Sequence, residues 1–216
     1  MNSIIMDNDK IRKYVKDENF ENIENWDVSG VTDMSELFSE VSNFNKDISN
    51  WDVSNVTDMN RMFYGCYNFN QGISKWNVIN VTDMNSMFYD CQDFNQNIGN
   101  WNVSKVTDIG GMFCGCINFD QDIGNWNVSK VTDMGGMFWE CYNFNQDIGN
   151  WNVSNVTTME SMFRKCYSFN QDICDWNISN VTDMSNIFLY SYNFCRYTDN
   201  MDFSNLSDSE YFDSKF

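Results

Sequence analysis

The sequence predicts an α/β fold: a β/α solenoid of about seven 25-residue coils, with short strands on one face, short helices on the other and capping ends. Two observations support this prediction. Tryptophan recurs at an interval of 25 residues that no insertion interrupts. Within each interval, the spacing of apolar residues changes from that of a strand to that of a helix. The tryptophans of the series are Trp26, Trp51, Trp76, Trp101, Trp126, Trp151 and Trp176.

Each unit begins with a segment that predicts a short strand. With tryptophan counted as position 1, Val53 and Val56 occupy positions 3 and 6 and flank polar and β-branched residues. Because such residues favour extended backbone, we expect a strand here. One unit alone leaves its apolar side uncovered, so a stable core requires neighbouring units to stack.

The following segment of each unit predicts a helix of about three turns. In two units Gly110-Gly111 and Gly135-Gly136 weaken the helix, so a short or 3₁₀ turn is the alternative there. Met59, Met62, Phe63 and Cys66 have the spacing i, i+3, i+4, i+7, which places them on one face of a helix. Asp58 stands where a side-chain oxygen would accept a bond from the first free N–H groups of that helix. We therefore expect strand and helix to alternate along the chain.

The repeats and their flanks predict a single domain. Residues 1–25 are expected to form an N-terminal cap with a helix, in which Ile11 and Val15 have helical spacing. Residues 26–200 form the predicted seven-coil solenoid, and residues 201–216 a partial coil with an acidic C-terminal cap. No Pro-rich, Gly-rich or charged linker interrupts the chain.

Charge and composition narrow the classes of function. The 216-residue chain has a formal net charge of −18 and contains no histidine. A strongly negative surface repels phosphate backbones and anionic lipid, so we expect neither nucleic-acid binding nor membrane insertion. Without histidine, Ser-His and Cys-His nucleophile pairs cannot form. We therefore expect no enzyme activity and no cofactor, and a protein partner, with the chain itself as one candidate.

The N-terminal residues bear on location. They show no apolar segment after a basic start and no small-residue cleavage pattern. We therefore expect a cytoplasmic or virion-associated protein rather than an extracellular one.

Residues 51–71 carry a resemblance to a known family. They read W-D-V-S-N-V-T-D-M-N-R-M-F-Y-G-C-Y-N-F-N-Q and resemble the BspA-type surface-protein repeat, a relative of the leucine-rich repeats. The pattern recurs along about four-fifths of the chain. The resemblance implies a β/α solenoid and a role in adhesion or protein binding, and it brings no catalytic residues.

Cysteine recurs at position 16, where the first coil has Val41 and the last has Ser191. A position that accepts Val, Cys or Ser indicates a small buried side chain, so we expect reduced thiols in the core. Disulfides or a metal site are the alternatives. The residues are Cys66, Cys91, Cys116, Cys141 and Cys166.

Two other series are interpreted as structural. The tryptophans are expected to fill the core of each coil, with a carbohydrate-stacking strip as the alternative. Asparagines at position 20 are expected to form an internal amide ladder that satisfies turn carbonyls. These asparagines are Asn45, Asn70, Asn95, Asn145 and Asn170.

Carboxylates recur at position 8 and are interpreted as helix caps. Calcium bound along the series is the alternative, because hard cations prefer oxygen ligands. Thr158 replaces the carboxylate in one unit, which a cap tolerates and a chain of metal ions does not. The carboxylates are Asp33, Asp58, Asp83, Asp108, Asp133 and Asp183.

Positions 14 and 17 vary between units and hold the candidate protein-binding residues. Position 14 is expected to project outward as an aromatic row, a composition typical of protein interfaces. Position 17 is expected to pack against the neighbouring coil. The candidates are Tyr64, Tyr67, Tyr89, Ile117, Trp139, Tyr142, Tyr167, Leu189 and Tyr192.

These observations favour a non-catalytic protein-interaction or scaffold module. A structural protein of a virion or filament, acting by self-association, is the first alternative, and a cell-surface adhesion protein is the second. A glycosidase would need two carboxylates facing one cleft at a unique place, whereas here the aspartates repeat in coil after coil.

Overall fold

The computed structural model describes residues 4–194, so the predicted C-terminal cap at 201–216 lies outside the described residues. The elements are β1 (Ile4–Ile5), α1 (Asn8–Lys16), a 3₁₀ turn (Ile23–Asn25) and β2 (Trp26–Asp27). β1 pairs with β2 in parallel. From residue 28 to residue 194 the described chain is a stack of hydrogen-bonded turns with no helix.

The coils pair through position 8, not through the predicted strand at positions 3 to 7. Single-residue parallel bridges join position 8 of each coil to position 8 of the next, from Asp33 and Asp58 to Thr158 and Asp183. On one side of each bridge, the N–H of Thr57 donates to the carbonyl of Thr32 at 2.8 Å. The prediction of short strands within the units was therefore wrong: the parallel pairing is one residue wide in each coil.

The predicted helices of the units were also wrong. Positions 11 and 15 have positive φ, for example 53° at Arg61 and 71° at Gly65, a conformation that no α-helix contains. The N–H of Met62 donates to the carbonyl of Met59, and the N–H of Cys66 donates to the carbonyl of Phe63. A bond from i+3 to i with a positive φ at i+2 is the pattern of a type II turn. Successive turns, not helical turns, therefore bring the apolar side chains to one side.

We define positions 8 to 16 of each coil as the turn ladder; in the second coil these are residues 58–66. The backbone N–H groups of the turn ladder that are not used in turn bonds join neighbouring coils. The N–H groups of Met59, Arg61, Phe63 and Gly65 donate at 2.8 to 3.0 Å to carbonyls of the following coil. Turn bonds use the N–H groups between them. The stack therefore satisfies the buried backbone without regular secondary structure.

The core consists of ring ladders that run along the stack. Phe63 and Phe69 of one coil stack at 3.9 Å, and Phe63 meets Phe88 of the next coil at 5.6 Å. The tryptophans are buried, and Trp76 and Trp101 stack at 6.4 Å. The Nε1 of Trp101 donates to the carbonyl of Ile73 at 3.2 Å. The tryptophans are thus core residues, as expected, and not an exposed strip for sugars.

Helix α1 closes the first coil. It buries Ile11, and Asp7 caps it by accepting from the N–H of Lys10 at 2.8 Å. Asn8 Oδ1 accepts from the N–H of Thr32, the bond that a preceding coil supplies elsewhere. Arg12 donates to the carbonyl of Ser35 at 2.7 Å. Because α1 occupies these edge groups, the N-terminal edge of the solenoid is covered.

Candidate interaction face

The candidate residues lie at and just beyond the turn ladder, and their exposure reverses the prediction. At position 14 the candidates Tyr64, Tyr89, Trp139 and Leu189 are half-buried. Position 17 projects further, since Tyr67, Tyr167 and Tyr192 are 42%, 38% and 65% exposed. Ile117 and Tyr142, also at position 17, are half-buried. The outward row is therefore position 17, because the turn at positions 13 to 16 directs the next side chain away from the core.

The aromatic residues form separate stacks along the coils. Tyr64 and Tyr89 stack at 4.7 Å, and Tyr142 and Tyr167 at 4.8 Å. Tyr167 meets Tyr192 at 6.2 Å. Rings held against each other lose little further freedom on binding, which suits them to an interface.

Two arginines cover rings at position 14, a feature that the sequence analysis did not identify. Arg61 lies 4.4 Å from the ring centroid of Tyr64 and 3.5 Å from the carboxylate of Glu36. Arg164 lies 4.9 Å from the ring centroid of Trp139. Both are cation–π contacts, in which the negative face of the ring attracts the guanidinium.

A groove of about 340 Å³ lies in the middle of this face, and the sequence analysis missed it. Its floor is formed by Gly110, Gly111, Gly135 and Gly136, at positions 10 and 11 of two successive coils. Other coils have side chains at these positions, such as Asn60 and Arg61. The paired glycines were therefore the signal: they leave out the side chains that would fill the groove. We call this feature the glycine groove.

The aspartates at position 8 close local turns and do not cap helices. Asp58 Oδ1 accepts from the N–H of Asn60 at 2.9 Å, two residues later, and Asp133 Oδ1 accepts from the N–H of Gly135 at 2.8 Å. This is an Asx turn, so the predicted capping role was wrong. Burial raises the pKa of Asp133, and the charge of Asp108 adds to the rise.

The pKa of Asp33 moves in the opposite direction. Burial alone would raise it, but hydrogen bonds from Ser35 and the charge of Arg12 outweigh burial and lower the pKa. Arg12 lies 2.9 Å from the Asp33 carboxylate. The cap helix thus compensates the first carboxylate of the series, whereas the carboxylates of the middle coils face one another.

The asparagine ladder exists, but it is not internal. Asn45 Oδ1 accepts from the N–H of Asn70 at 3.0 Å and from Nε2 of Gln71 at 2.9 Å, and Asn45 is exposed. The same bond joins Asn70 to Asn95 and Asn145 to Asn170. The ladder therefore satisfies backbone N–H groups at the surface, not buried turn carbonyls.

The position-16 thiols are buried and act as weak donors. The Sγ of Cys91 lies 3.1 Å from the carbonyl of Phe63. Burial raises the pKa of Cys66 to about 12 and that of Cys91 well above its usual value. Cys66, Cys91, Cys116, Cys141 and Cys166 form no disulfides. The core environment therefore holds these groups as neutral thiols.

The described residues bear on metal binding and membrane insertion. Residues 4–194 contain no group of three or more Asp, Glu, Cys or His side chains placed to hold a metal ion. Within that same stretch, no helix combines the length and apolar character needed to cross a membrane.

Comparison with known families supports the repeat fold. A family profile described as "Mycoplasma protein of unknown function, DUF285" matches residues 8–124 and again residues 107–215. The chain belongs to the DUF285 family. The profile matches twice because the chain repeats. No curated protein sequence matches the chain.

A solved structure shares the fold of this DUF285 protein. A leucine-rich repeat protein from T. pallidum is 14% identical with a TM-score of 0.52, over 77% of this chain and 72% of that one. An internalin from Listeria monocytogenes is 8% identical with a TM-score of 0.16, over 64% of this chain and 54% of that one, too little to support an argument. The likeness to the first protein shows a leucine-rich-repeat-like solenoid and says nothing about a ligand.

Proposed function

We propose that this DUF285 protein is a non-catalytic scaffold that presents a rigid acidic face with aromatic anchors to a protein partner. The observation that carries the proposal is the exposure of stacked tyrosines on a fully hydrogen-bonded framework. Tyr67 and Tyr167 project from the turn ladder, and Tyr167 is stacked against Tyr142. Pre-ordered aromatic side chains are the groups that most often dominate binding energy at interfaces.

The charge of the chain specifies the partner. With a net charge of −18, the face attracts a basic protein surface and repels an acidic one. Association should therefore slow as ionic strength rises, since salt screens long-range attraction. We propose a cytoplasmic or virion-associated location for this encounter, which fractionation of infected or expressing cells would test.

The test compares two faces of the same molecule. A partner is first identified by cross-linking to the immobilised protein, and its affinity is then measured for a Tyr67→Ser, Tyr167→Ser double variant. We expect at least a tenfold loss, because each anchor contributes about 1 kcal/mol or more at an interface. Ile79→Ser is the matched control, since Ile79 is also exposed, at 38%, but lies at position 4 of its coil. Equal losses in both variants would contradict the proposal.

Self-association in a virion or filament is the second candidate, and the structure restricts its form. The N-terminal edge is occupied by Asn8 and Arg12 of α1, so coils of two molecules cannot simply continue each other there. For self-association we propose the tyrosine face instead. Light scattering of the same double variant distinguishes the cases, because a filament built through this face would dissociate. The BspA-type resemblance favours adhesion as a further role of the same face.

A further inference from the structure

The glycine groove lies between two aromatic side chains that are two coils apart. Tyr89 and Trp139 line it, and between them the same position of the intervening coil holds Cys114. The floor is close to the backbone: a Cβ on Gly135 would approach Asp133 Oδ1 to 3.2 Å, and one on Gly110 would approach it to 3.0 Å. The carboxylate of Asp133 therefore lies beside the glycines of the groove.

The row of rings at position 14 is incomplete at this point. Tyr64 covers one side of Tyr89 at 4.7 Å, and Arg164 covers one side of Trp139 at 4.9 Å. Since the coils stack in order, the other side of each ring is turned toward the coil of Cys114. Cys114, which is hydrogen-bonded to Tyr89, is smaller than an aromatic ring, and the groove lies beside it.

The second coil shows which chemical group can lie against a position-14 ring beside a carboxylate. There Arg61, at position 11, lies 4.4 Å from the centroid of the position-14 ring, Tyr64, with Glu36 nearby at 3.5 Å. In the two groove coils the residue at position 11 is Gly111 or Gly136. The groove side of Trp139 thus lacks the guanidinium that position 11 supplies to Tyr64, while Arg164 covers the other side of the ring.

The charges in the groove are uncompensated. Asp133 and Glu160 line it, and neither forms an ion pair within residues 4–194. Asp133 is half-buried, and burial together with the charge of Asp108 raises its pKa. The Nε1 of Trp139 is buried and has no hydrogen-bond partner in the described residues, which is rare for a buried donor.

We propose that the glycine groove binds the guanidinium group of an arginine side chain from a basic partner protein, between the rings of Tyr89 and Trp139 and beside the carboxylate of Asp133. The inference rests on the proposed function and names the chemistry of the partner. Arginine fits better than lysine because its cation is planar and stacks on aromatic faces. The aromatic rings supply the stacking contacts and Asp133 supplies the opposite charge.

The test uses a small probe on the whole protein. N-acetyl-arginine amide is titrated while the indole signal of Trp139 is followed by NMR, and N-acetyl-citrulline amide, which has nearly the same shape without charge, is the matched probe. We expect saturable shifts with arginine and binding at least about threefold weaker with citrulline, the ratio that a cation–π contact implies. Asp133→Asn should weaken arginine binding by a similar factor and keep the acceptor for the Gly135 N–H.

Filling the groove provides the second arm. Gly136→Arg should place a guanidinium over Trp139 as Arg61 does over Tyr64, and abolish probe binding. Gly136→Ser is the control, since Ser86 and Ser161 occupy the same position with φ near 53° and 55°. No saturable shift, equal binding of citrulline or of a neutral sugar, or full binding by Gly136→Arg would overturn the proposal. Because the probe is a single amino-acid derivative, its result is independent of the partner experiment on Tyr67 and Tyr167.

Discussion

The indole N–H of Trp101 donates to the carbonyl of Ile73, 28 residues earlier, at 3.2 Å. That carbonyl also accepts from the N–H of Trp76 at 3.1 Å. One buried oxygen thus closes a turn in its own coil and holds the indole of the next coil. The arrangement recurs along the stack and fixes each tryptophan at one orientation.

We predict that Trp101→Phe destabilises the protein by more than Trp26→Phe does. Both changes remove part of a buried indole, but the Nε1 of Trp26 has no hydrogen-bond partner in the described residues. The difference should be about 1 kcal/mol, the net contribution of one hydrogen bond, because the carbonyl of Ile73 keeps its bond to Trp76. Urea unfolding measures it. Equal losses would show that the indole bond contributes nothing.

We predict that Gly115→Ala is strongly destabilising. Gly115 has a φ of +75°, and an added Cβ would lie 2.1 Å from Oδ1 of Asp90. Left-handed backbone alone costs a residue with a Cβ about 1 to 2 kcal/mol, and displacement of the Asp90 carboxylate adds to this. The thermal midpoint should fall by several degrees. Gly72→Ala is the control, because its Cβ would meet nothing closer than 3.8 Å; it should leave the midpoint unchanged or raise it slightly.

The repeat and its core could be read from the sequence because both are periodic. The interval between tryptophans, and the apolar identity of positions such as Val56, Met59, Phe63 and Phe69, specify which side chains are buried, and all four are. Burial of this kind depends on composition and register. It does not require the local backbone to be known.

The local backbone could not be predicted as easily, because consecutive type II turns and a helix place apolar residues at the same sequence spacing on one side. Two type II turns bring Met59, Met62, Phe63 and Cys66 to one side, as a helix would. The distinguishing signal was at positions 11 and 15, where glycine occurs in several coils, as at Gly65, Gly111, Gly115 and Gly136. Glycine inside a helix destabilises it and readily adopts positive φ. The glycine groove follows from the same residues, so it was missed for the same reason.

We predict that Asp133→Asn stabilises the protein at pH 7. The folded-state pKa of Asp133 is raised by burial and by the charge of Asp108. The folded protein therefore binds the proton more tightly than the unfolded chain does. Protonated Asp133 therefore stabilises the folded state at pH values below its pKa in the unfolded chain, about 3.9. This stabilisation is lost as the pH rises through the pKa of Asp133 in the folded protein. Asparagine mimics the protonated group, so the variant should be more stable than the parent at pH 7, and the difference should disappear as the pH falls below about 3.9.

Asp33→Asn should show the opposite sign. Hydrogen bonds from Ser35 and the charge of Arg12 overcome burial and lower the pKa of Asp33. The ionised Asp33 therefore stabilises the folded protein at pH values above its pKa in the unfolded chain. This stabilisation is lost as the pH falls through the pKa of Asp33 in the folded protein. The variant should be less stable than the parent at pH 7 and approach it in acid. Urea midpoints of both variants from pH 7 down to about pH 2.5, which is below the usual aspartate pKa, provide the measurement. A shift of the same sign in both would refute the assignment.

We predict that the position-16 thiols resist alkylation in the folded protein. Burial raises the pKa of Cys66 from 9.0 to about 12, which lowers its thiolate fraction about a thousandfold. Cys91 is fully buried, and its pKa is raised well above the usual value. Burial is the larger cause of this rise, and the neighbouring thiols Cys116 and Cys66 add to it. Cys174 is only partly buried and should react before the position-16 thiols. Iodoacetamide labelling, followed at each cysteine by mass spectrometry, gives the order.

The same labelling under increasing guanidinium chloride tests how the coils depend on one another. Each thiol donates to a carbonyl of the preceding coil, as Cys141 does to Phe113 at 2.8 Å. A coil therefore cannot expose its thiol without separating from its neighbour. We expect Cys91, Cys116 and Cys141 to become reactive together, because nearest-neighbour contacts make the stack cooperative. Reaction of Cys116 in the absence of denaturant, at the rate of Cys174, would mean that single coils open on their own and that the core is not closed by stacking.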